Sequence, residues 1–418
     1  MVGSLSGGRH TRSILVAAGL MIALVIGNVV ATRAYLTEPH PGHNDFMSRW
    51  EGVRSFWRDG LNPYGEQASA NIQDRIYGRP AAEDEDPGYF AYPFYTVFLL
   101  WPLAYVDYAW ASALWMVVLE ACLIGTLVLL LDLVRWRPRP WLLAALLLWM
   151  LINYFSARGL ILGQPGLAVV FLEVLALWAL SKDRSQLAGG ALALSTLKPQ
   201  MGFLLAPFLL LWGSRSGRRA FVASFVIVWG ALMALSFIAE PSWFSDWIDQ
   251  IRRYPSYTAI GAPTWIVMQH YLGAGDAGEW AVNGILYAAM LWAWAGVLVQ
   301  RREQRLMWTV VLTLTITHLC AVRTATPHYV VFTLPLIFYC KRWAVQRRSG
   351  GAWIVILLIM LFVVPWVHFL LTVEGEFEHP TLYLPVLFTV LAVVWLTRRE
   401  WWRAGPILSR HADTAGTT

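Results

Sequence analysis

The stretch GAWIVILLIMLFVVPWVHFLLTV, residues 351–373, contains no Asp, Glu, Lys or Arg. An apolar stretch of about 20 residues is long enough to cross the hydrocarbon core of a bilayer as an α-helix. Ser224–Ala239 and Trp280–Gln300 also lack charged side chains. These three stretches predict an all-α polytopic membrane protein.

The composition of the whole chain points the same way. Of its 418 residues, 57% are hydrophobic and only 14% are charged, whereas soluble domains carry about 25% charged residues. This balance excludes a soluble enzyme, a disordered chain and a disulfide-stapled secreted module. The net charge of +6 comes from short, scattered basic clusters, so we expect no nucleic-acid partner.

Further apolar stretches predict the remaining spans. Ile14–Thr32 is read as a first span with a cytoplasmic N-terminus, because its apolar stretch exceeds the about 7–15 residues of a signal peptide. Lys198-Pro199 divides the apolar region Leu187–Trp212, which predicts two short helices or a re-entrant hairpin that enters and leaves on the cytoplasmic side. The other predicted spans are Tyr108–Leu131, Trp141–Ala157, Leu160–Ser181, Phe221–Ala239, Trp280–Gln300, Leu306–Val322, Thr326–Cys340, Gly351–Val373 and Pro380–Leu396.

The basic clusters predict the orientation, because short cytoplasmic loops carry an excess of Lys and Arg. We expect about ten to twelve transmembrane helices, some of them short or re-entrant, in a single domain over residues 1–397. Residues 398–418 then form a cytoplasmic tail. Two long extracytoplasmic loops are predicted at 36–106 and 240–279, the first with an interfacial helix at Phe94–Ala104.

A carboxylate in the first of these loops is a candidate catalytic group. Asp45 follows the first span by a few residues, so it lies near the outer membrane surface. A carboxylate held there can act as a general base toward a hydroxyl group. The alternative is that Asp45 is one solvated acid among the ten between Leu36 and Tyr92.

Four basic side chains are predicted at outer span ends, on the same side as Asp45. A lysine within the membrane zone, such as Lys198, is a functional candidate by default, with snorkelling to the headgroups as the alternative. Such groups can stabilise a phosphate leaving group opposite a hydroxyl nucleophile. The candidates for binding the donor phosphate are Lys198, His328, Arg158 and Arg323.

The order of several short motifs resembles glycosyltransferase family 87, over about residues 14–340. The motifs are Asp45, Gly60-x-Asn-Pro-Tyr64, Tyr92-Pro93, Gly163-Gln164, Leu197-Lys-Pro199 and Thr326-Pro-His-Tyr329. The resemblance implies a GT-C fold and inverting transfer of a sugar from a polyprenyl-phosphate donor, outside the cytoplasmic membrane. It also implies that Asp45 is the base and that Lys198 and His328 lie around the donor phosphate. The family often has Asn where this chain has Gly166.

These inferences predict a glycosyltransferase, with mannose as the favoured sugar and a glycolipid or glycan as acceptor. We expect no metal and no cofactor, a bacterial cytoplasmic membrane location among membrane lipids, and cytoplasmic termini. Intramembrane Glu120 and Glu173 keep open a transporter or flippase of a lipid-linked sugar, or simple polar pairing. The residues predicted to contact the acceptor or shape the loops are Asn62, Tyr64, Tyr92, Gln164, Trp243 and Trp265.

Overall fold

Helices make up the regular structure of the chain in a computed structural model, which describes residues 6–40, 45–82, 85–253, 261–322, 324–375, 378–405 and 408. Tight 3-10 turns lie at Trp101–Tyr105, Glu303–Arg305, Thr326–Phe332 and Pro380–Leu382, and π-helical turns at Arg33–Thr37 and Ile266–Tyr271. The α-helices are α1 Ser6–Thr32, α2 Phe46–Asp59, α3 Glu66–Tyr77, α4 Thr96–Leu99, α5 Tyr108–Leu133, α6 Pro140–Ile152, α7 Tyr154–Ile161, α8 Gly166–Ser181, α9 Ser185–Ser195, α10 Pro199–Gly202, α11 Leu205–Arg215, α12 Arg219–Ala239, α13 Trp243–Arg253, α14 Pro263–Trp265, α15 Gly275–Leu298, α16 Leu306–Cys320, α17 Thr333–Gln346, α18 Gly350–Thr372, α19 Leu384–Leu396 and α20 Arg398–Arg403.

Several of these helices have the length and composition of membrane spans, which confirms an all-α polytopic membrane protein. Within the described ranges, five helices are long and apolar enough to cross on their own, and a bent pair makes up to six. This is fewer than the ten to twelve predicted, because the other apolar stretches fold as shorter or interrupted helices. The five are Leu15–Thr37, Tyr108–Leu133, Arg219–Ala239, Gly275–Leu298 and Gly350–Thr372.

Two predicted spans are broken by polar or turn-forming residues. The expected span Trp141–Ala157 bends by 48° between α6 and α7, because the Asn153 side chain accepts from Ser156 N and starts a new helix there. The expected span Leu160–Ser181 is interrupted before α8, which begins only at Gly166. Both breaks place backbone ends beside the candidate site described below.

The region around Lys198-Pro199 forms the predicted hairpin. Helix α9 leads up to Lys198, α10 is a single turn, and α11 returns. At the opposite end, Arg218 donates to the carbonyl oxygen of Leu180 at 3.1 Å and pairs with Asp183 at 3.2 Å. The chain therefore enters and leaves the hairpin at the same place, as predicted, and Lys198 lies at its tip.

The first long loop packs as a layer of short helices. Trp50 and Trp57 of α2 donate through their indole nitrogens to the carbonyl oxygens of Leu103 and Val97, at 2.8 and 2.9 Å. The interfacial helix expected over Phe94–Ala104 is not continuous, because α4 ends at Leu99 and the chain goes on as a 3-10 turn. These contacts hold α2, and Asp45 at its start, in a fixed position.

The two intramembrane glutamates differ in their surroundings. Glu120 on α5 accepts a hydrogen bond of 2.5 Å from the Asn28 side chain of α1, so it pairs these helices. Glu173 on α8 is buried, and neither carboxylate oxygen has a hydrogen-bond partner among the described residues. The polar pairing that the sequence left open therefore applies to Glu120.

Candidate active site

Asp45 lies immediately before α2, and its position is fixed through its backbone. Arg49, one helical turn further on, donates from Nη1 to the carbonyl oxygen of Asp45. The same guanidinium donates from Nη2 to the Tyr92 hydroxyl at 2.5 Å and lies 4.5 Å from the centre of that ring. The Asp45 carboxylate is therefore held at the buried end of α2.

Gln164 links Asp45 to Lys198. The side-chain nitrogen of Gln164 donates to Oδ2 of Asp45, and its side-chain oxygen accepts from Lys198 Nζ at 2.7 Å. The amide has only this orientation, because a carboxylate can only accept and an ammonium group can only donate. The Lys198 residue is 5% exposed, so it is buried in the site and does not snorkel to the surface.

The turn that presents Gln164 depends on a glycine. Gly163 has a φ of +62°, and a Cβ there would come within 2.7 Å of the Cβ of Phe46. Trp115 donates through Nε1 to the Gly163 carbonyl oxygen at 2.8 Å. Glycine tolerates both the left-handed backbone and the close approach, so the start of α2 can lie directly against Gln164.

Tyr92 and Arg49 complete this cluster. Burial raises the pKa of Tyr92, although the neighbouring Arg49 opposes the shift, so the phenol stays neutral and accepts from the guanidinium. The sequence predicted Tyr92 but missed Arg49. The available signal was its spacing of four residues from Asp45, which places two residues on one face of a helix.

His328 lies next to this cluster, in the 3-10 turn Thr326–Phe332. Its Nδ1 accepts from the backbone N–H of Ala325 at 3.2 Å. Lys198 and Arg49 are close enough to His328 for electrostatic interaction. A Cβ on Gly166 would come within 2.9 Å of the His328 ring, so the glycine at this position lets α8 approach the histidine.

The two remaining basic candidates are placed differently. Arg158 pairs through Nε with Glu378 at 2.9 Å, and Tyr154 donates to the same carboxylate oxygen at 2.6 Å. The positive charge of Arg158 is therefore already balanced by the Glu378 carboxylate. Arg323 lies outside the described residues.

The predicted loop residues join the two long loops. Asn62 donates to the Asp246 carboxylate of α13 at 2.8 Å, and Gln250 of the same helix donates to the Tyr64 carbonyl oxygen at 2.9 Å. The Tyr64 hydroxyl donates to the Tyr92 carbonyl oxygen at 2.6 Å. Asn62 and Tyr64 thus tie α13 to the segment that carries Tyr92.

The two candidate tryptophans for sugar stacking differ in exposure. Trp243 is 1% exposed and packs against Phe237, Phe244 and Trp247. It therefore shapes the loop and presents no face to a sugar. Trp265 is 38% exposed and keeps an accessible face.

The arrangement provides a carboxylate at one end of an amide and a lysine at the other. A hydroxyl nucleophile needs a base, and a departing phosphate needs positive charge or hydrogen-bond donors. Within the described part of the chain, no group of three or more His, Cys, Asp or Glu side chains is placed to hold a metal ion. The cluster can thus supply proton acceptance and charge stabilisation from its own side chains.

A comparison with protein families finds a match over the middle of the chain. Residues 90–321, more than half of the sequence, match the model of glycosyltransferase family 87. The matched range includes Tyr92, Gln164 and Lys198, whereas Asp45 and His328 lie outside it. No curated protein and no solved structure matches the chain.

Proposed function

The chain belongs to glycosyltransferase family 87, and from this membership and the Asp45 cluster we propose that it transfers a sugar from a polyprenyl-phosphate donor. Mannose is the sugar proposed first, and a glycolipid or glycan is the acceptor. Family membership makes the chain a membrane glycosyltransferase, which is the first of the two function classes that its sequence left open. The transporter alternative gains no support from it.

The observation that carries the proposal is the connection from Asp45 through Gln164 to Lys198. Gln164 engages Oδ2 of Asp45, which leaves Oδ1 for the hydroxyl of the acceptor. In the proposed step this oxygen takes the hydroxyl proton, and the acceptor oxygen attacks the anomeric carbon. The bond from that carbon to the phosphate oxygen breaks on the opposite face, so the configuration inverts.

Lys198 is proposed to bear the charge of the departing polyprenyl phosphate. A charge-assisted contact to phosphate is stronger in a buried site than in water, and Lys198 is buried. His328 lies at the same end of the donor, as its electrostatic interaction with Lys198 indicates. No metal enters this step, since the side chains supply the positive charge.

The loops are proposed to receive the acceptor on the extracytoplasmic face of a bacterial cytoplasmic membrane, with both chain termini in the cytoplasm. Trp265 offers the exposed ring on which an acceptor sugar can stack. Asn62 and Tyr64 keep the two loops together. The apolar tail of the donor lies among the spans.

An assay with labelled donors tests this proposal. Membranes containing the chain are supplied with radiolabelled polyprenyl-phosphate mannose and, in parallel, with the arabinofuranose donor. We expect mannose to pass to lipid or glycan, and the Asp45→Asn variant to transfer it about 10²–10⁴-fold more slowly. Transfer of arabinofuranose alone would correct the sugar, and transfer of neither would contradict the donor class.

A further inference from the structure

A second histidine lies beside His328 and holds the opposite tautomer. His318 on α16 is bonded through Nδ1 to the Leu314 carbonyl oxygen at 2.8 Å. A carbonyl oxygen only accepts, so His318 carries its proton on Nδ1 and offers a lone pair at Nε2. His328 accepts at Nδ1 from Ala325 N–H, so its proton lies on Nε2.

Both Nε2 atoms lack a hydrogen-bond partner within the described part of the chain. Each histidine is 1% exposed, and neither Nε2 has a hydrogen-bond partner among the residues that the structure describes. The Tyr329 hydroxyl, whose ring centre lies 6.4 Å from that of His318, is also buried and unpartnered within those residues. Buried polar groups are nearly always hydrogen-bonded to protein or water, so the two Nε2 atoms mark a place where a further polar group can bind.

The spacing of the two rings suits one bridging oxygen atom. The ring centres are 6.3 Å apart, so the two imidazoles lie near enough for one small polar group to contact both. Gly166 lies against this edge of His328, since a Cβ there would lie 3.5 Å from its Nε2.

We propose that His318 and His328 together bind one hydroxyl group of the sugar that is transferred. The hydroxyl oxygen accepts from Nε2–H of His328, and its proton is donated to Nε2 of His318. This inference rests on the proposed function, because it assigns the ligand to the donor sugar. It makes His318 a specificity-determining residue.

A hydroxyl fits this pair better than a phosphate oxygen does. The ester-linked phosphate of the donor is an anion that only accepts hydrogen bonds, so it would be repelled by the lone pair on His318. A hydroxyl both donates and accepts, as one donor and one acceptor require. Lys198 remains the partner for the phosphate.

Donor binding to the purified protein in detergent tests the pair. Isothermal titration compares a short-chain polyprenyl-phosphate mannose with its four monodeoxy analogues. We expect the wild type to bind one analogue about tenfold to a hundredfold more weakly, since its absence leaves buried groups unpaired. His318→Phe should bind that analogue and the parent equally, at the weaker level.

Thr317→Val is the matched control, because Thr317 is buried next to His318 and donates only to its own helix, at Thr313 O. It should keep the wild-type discrimination. Full discrimination in His318→Phe, or none in the wild type, overturns the proposal. The first of these results is also the one expected if only a water molecule lies between the rings.

Nitrogen NMR of histidine-labelled protein tests the pair independently of the donor. The two rings are assigned by loss of their signals in His318→Phe and His328→Gln. We expect both rings to be neutral, with opposite tautomers. If the wild type does not bind polyprenyl-phosphate mannose at all, the proposed donor class is wrong. The NMR result then decides separately on the histidine pair: two rings with the same tautomer, or a doubly protonated His328, overturn it.

Discussion

The side-chain nitrogen of Gln164 donates a hydrogen bond to Oδ2 of Asp45, across 119 residues of sequence. Replacing this amide by a carboxylate keeps the contact to Lys198 but sets a second negative charge against Asp45. Two carboxylates in one site hold a proton to higher pH than either alone. We expect Gln164→Glu to move the acidic limb of the kcat/KM profile upward by about one pH unit or more.

Gln164→Met, which removes both hydrogen bonds without adding charge, is the control for that shift. It should lower the rate and move the acidic limb upward by less than Gln164→Glu does, because it removes a hydrogen bond to the carboxylate without adding a charge. If the profile of Gln164→Glu superimposes on the wild type, the amide does not contact the base during turnover.

Removing the basicity of Asp45 should lower turnover by about 10²–10⁴-fold, the usual contribution of general-base catalysis. Asp45→Asn keeps the size of the side chain and an acceptor oxygen for Gln164, so expression and donor binding should stay close to normal. Asp59→Asn is the control, since Asp59 is exposed at the far end of the same helix. Near-normal turnover in Asp45→Asn contradicts the mechanism, and equal losses in both variants point to damage of the loop.

Lys198 and Arg158 should respond differently to loss of charge. Lys198→Met keeps most of the buried stem but removes a charge-assisted contact worth about 1.5–3 kcal/mol, so donor kcat/KM should fall about tenfold to a hundredfold. Arg158→Met should cost less activity, because Arg158 is paired with Glu378. Equal losses would mean that Glu378 yields Arg158 to the phosphate.

Single cysteines test the predicted orientation. Ala70→Cys, on the exposed face of α3, should react with an impermeant maleimide added to intact cells, whereas Ser216→Cys should react only after permeabilisation. Both positions are exposed, and the native Cys320 and Cys340 are buried, which limits the background once Cys122 is replaced by Ser. Reversed labelling would place Asp45 on the cytoplasmic side.

Glu51 predicts a pH dependence of stability in the first loop. Burial raises the pKa of Glu51, with Arg75 and Arg54 opposing the shift. A carboxyl group with a raised pKa stabilises the folded state fully below its unfolded value of 4.5, and that contribution is lost as the pH rises through the folded value. The melting temperature of the wild type should therefore fall relative to Glu51→Gln between about pH 4 and 7.

Glu66→Gln, at an exposed position of the same loop, should follow the wild type across that range when melting is recorded by tryptophan fluorescence in detergent. If the melting temperature of the wild type instead rises relative to that of Glu51→Gln as the pH rises, the ion pairs of Glu51 with Arg54 and Arg75 outweigh the cost of burial.

Much of the fold could be predicted because each long membrane span corresponds to one continuous apolar stretch of sequence. Uncharged stretches such as 351–373 correspond to long helices, and Lys198-Pro199 correctly marked a hairpin tip. The break at Asn153 was missed, because a single helix-capping residue is a weak signal within the long apolar stretch Trp141–Ala157. Apolar composition alone does not reveal such a bend, so the sequence could not tell which apolar stretches form long helices and which form short ones.

The candidate site was only partly predictable. Asp45, Gln164 and Lys198 were each chosen from the sequence, but their connection depends on three segments that are far apart in the chain. The partner of Arg158 lies 220 residues away, so no local pattern could have indicated it. Trp243 was predicted either to contact the acceptor or to shape the loop, because the amphipathic pattern of α13 does not tell whether its apolar face meets a ligand or the protein.

Arg218 contacts Leu180 and Asp183 at the end of the hairpin that is farthest from Lys198. Helix α9 has eleven residues, so Lys198 lies about 16 Å beyond that anchor at a rise of about 1.5 Å per residue. A small tilt at the anchor becomes a larger displacement of the ammonium group. The position of Lys198 therefore depends on contacts made at the far end of the hairpin as well as on those at its tip.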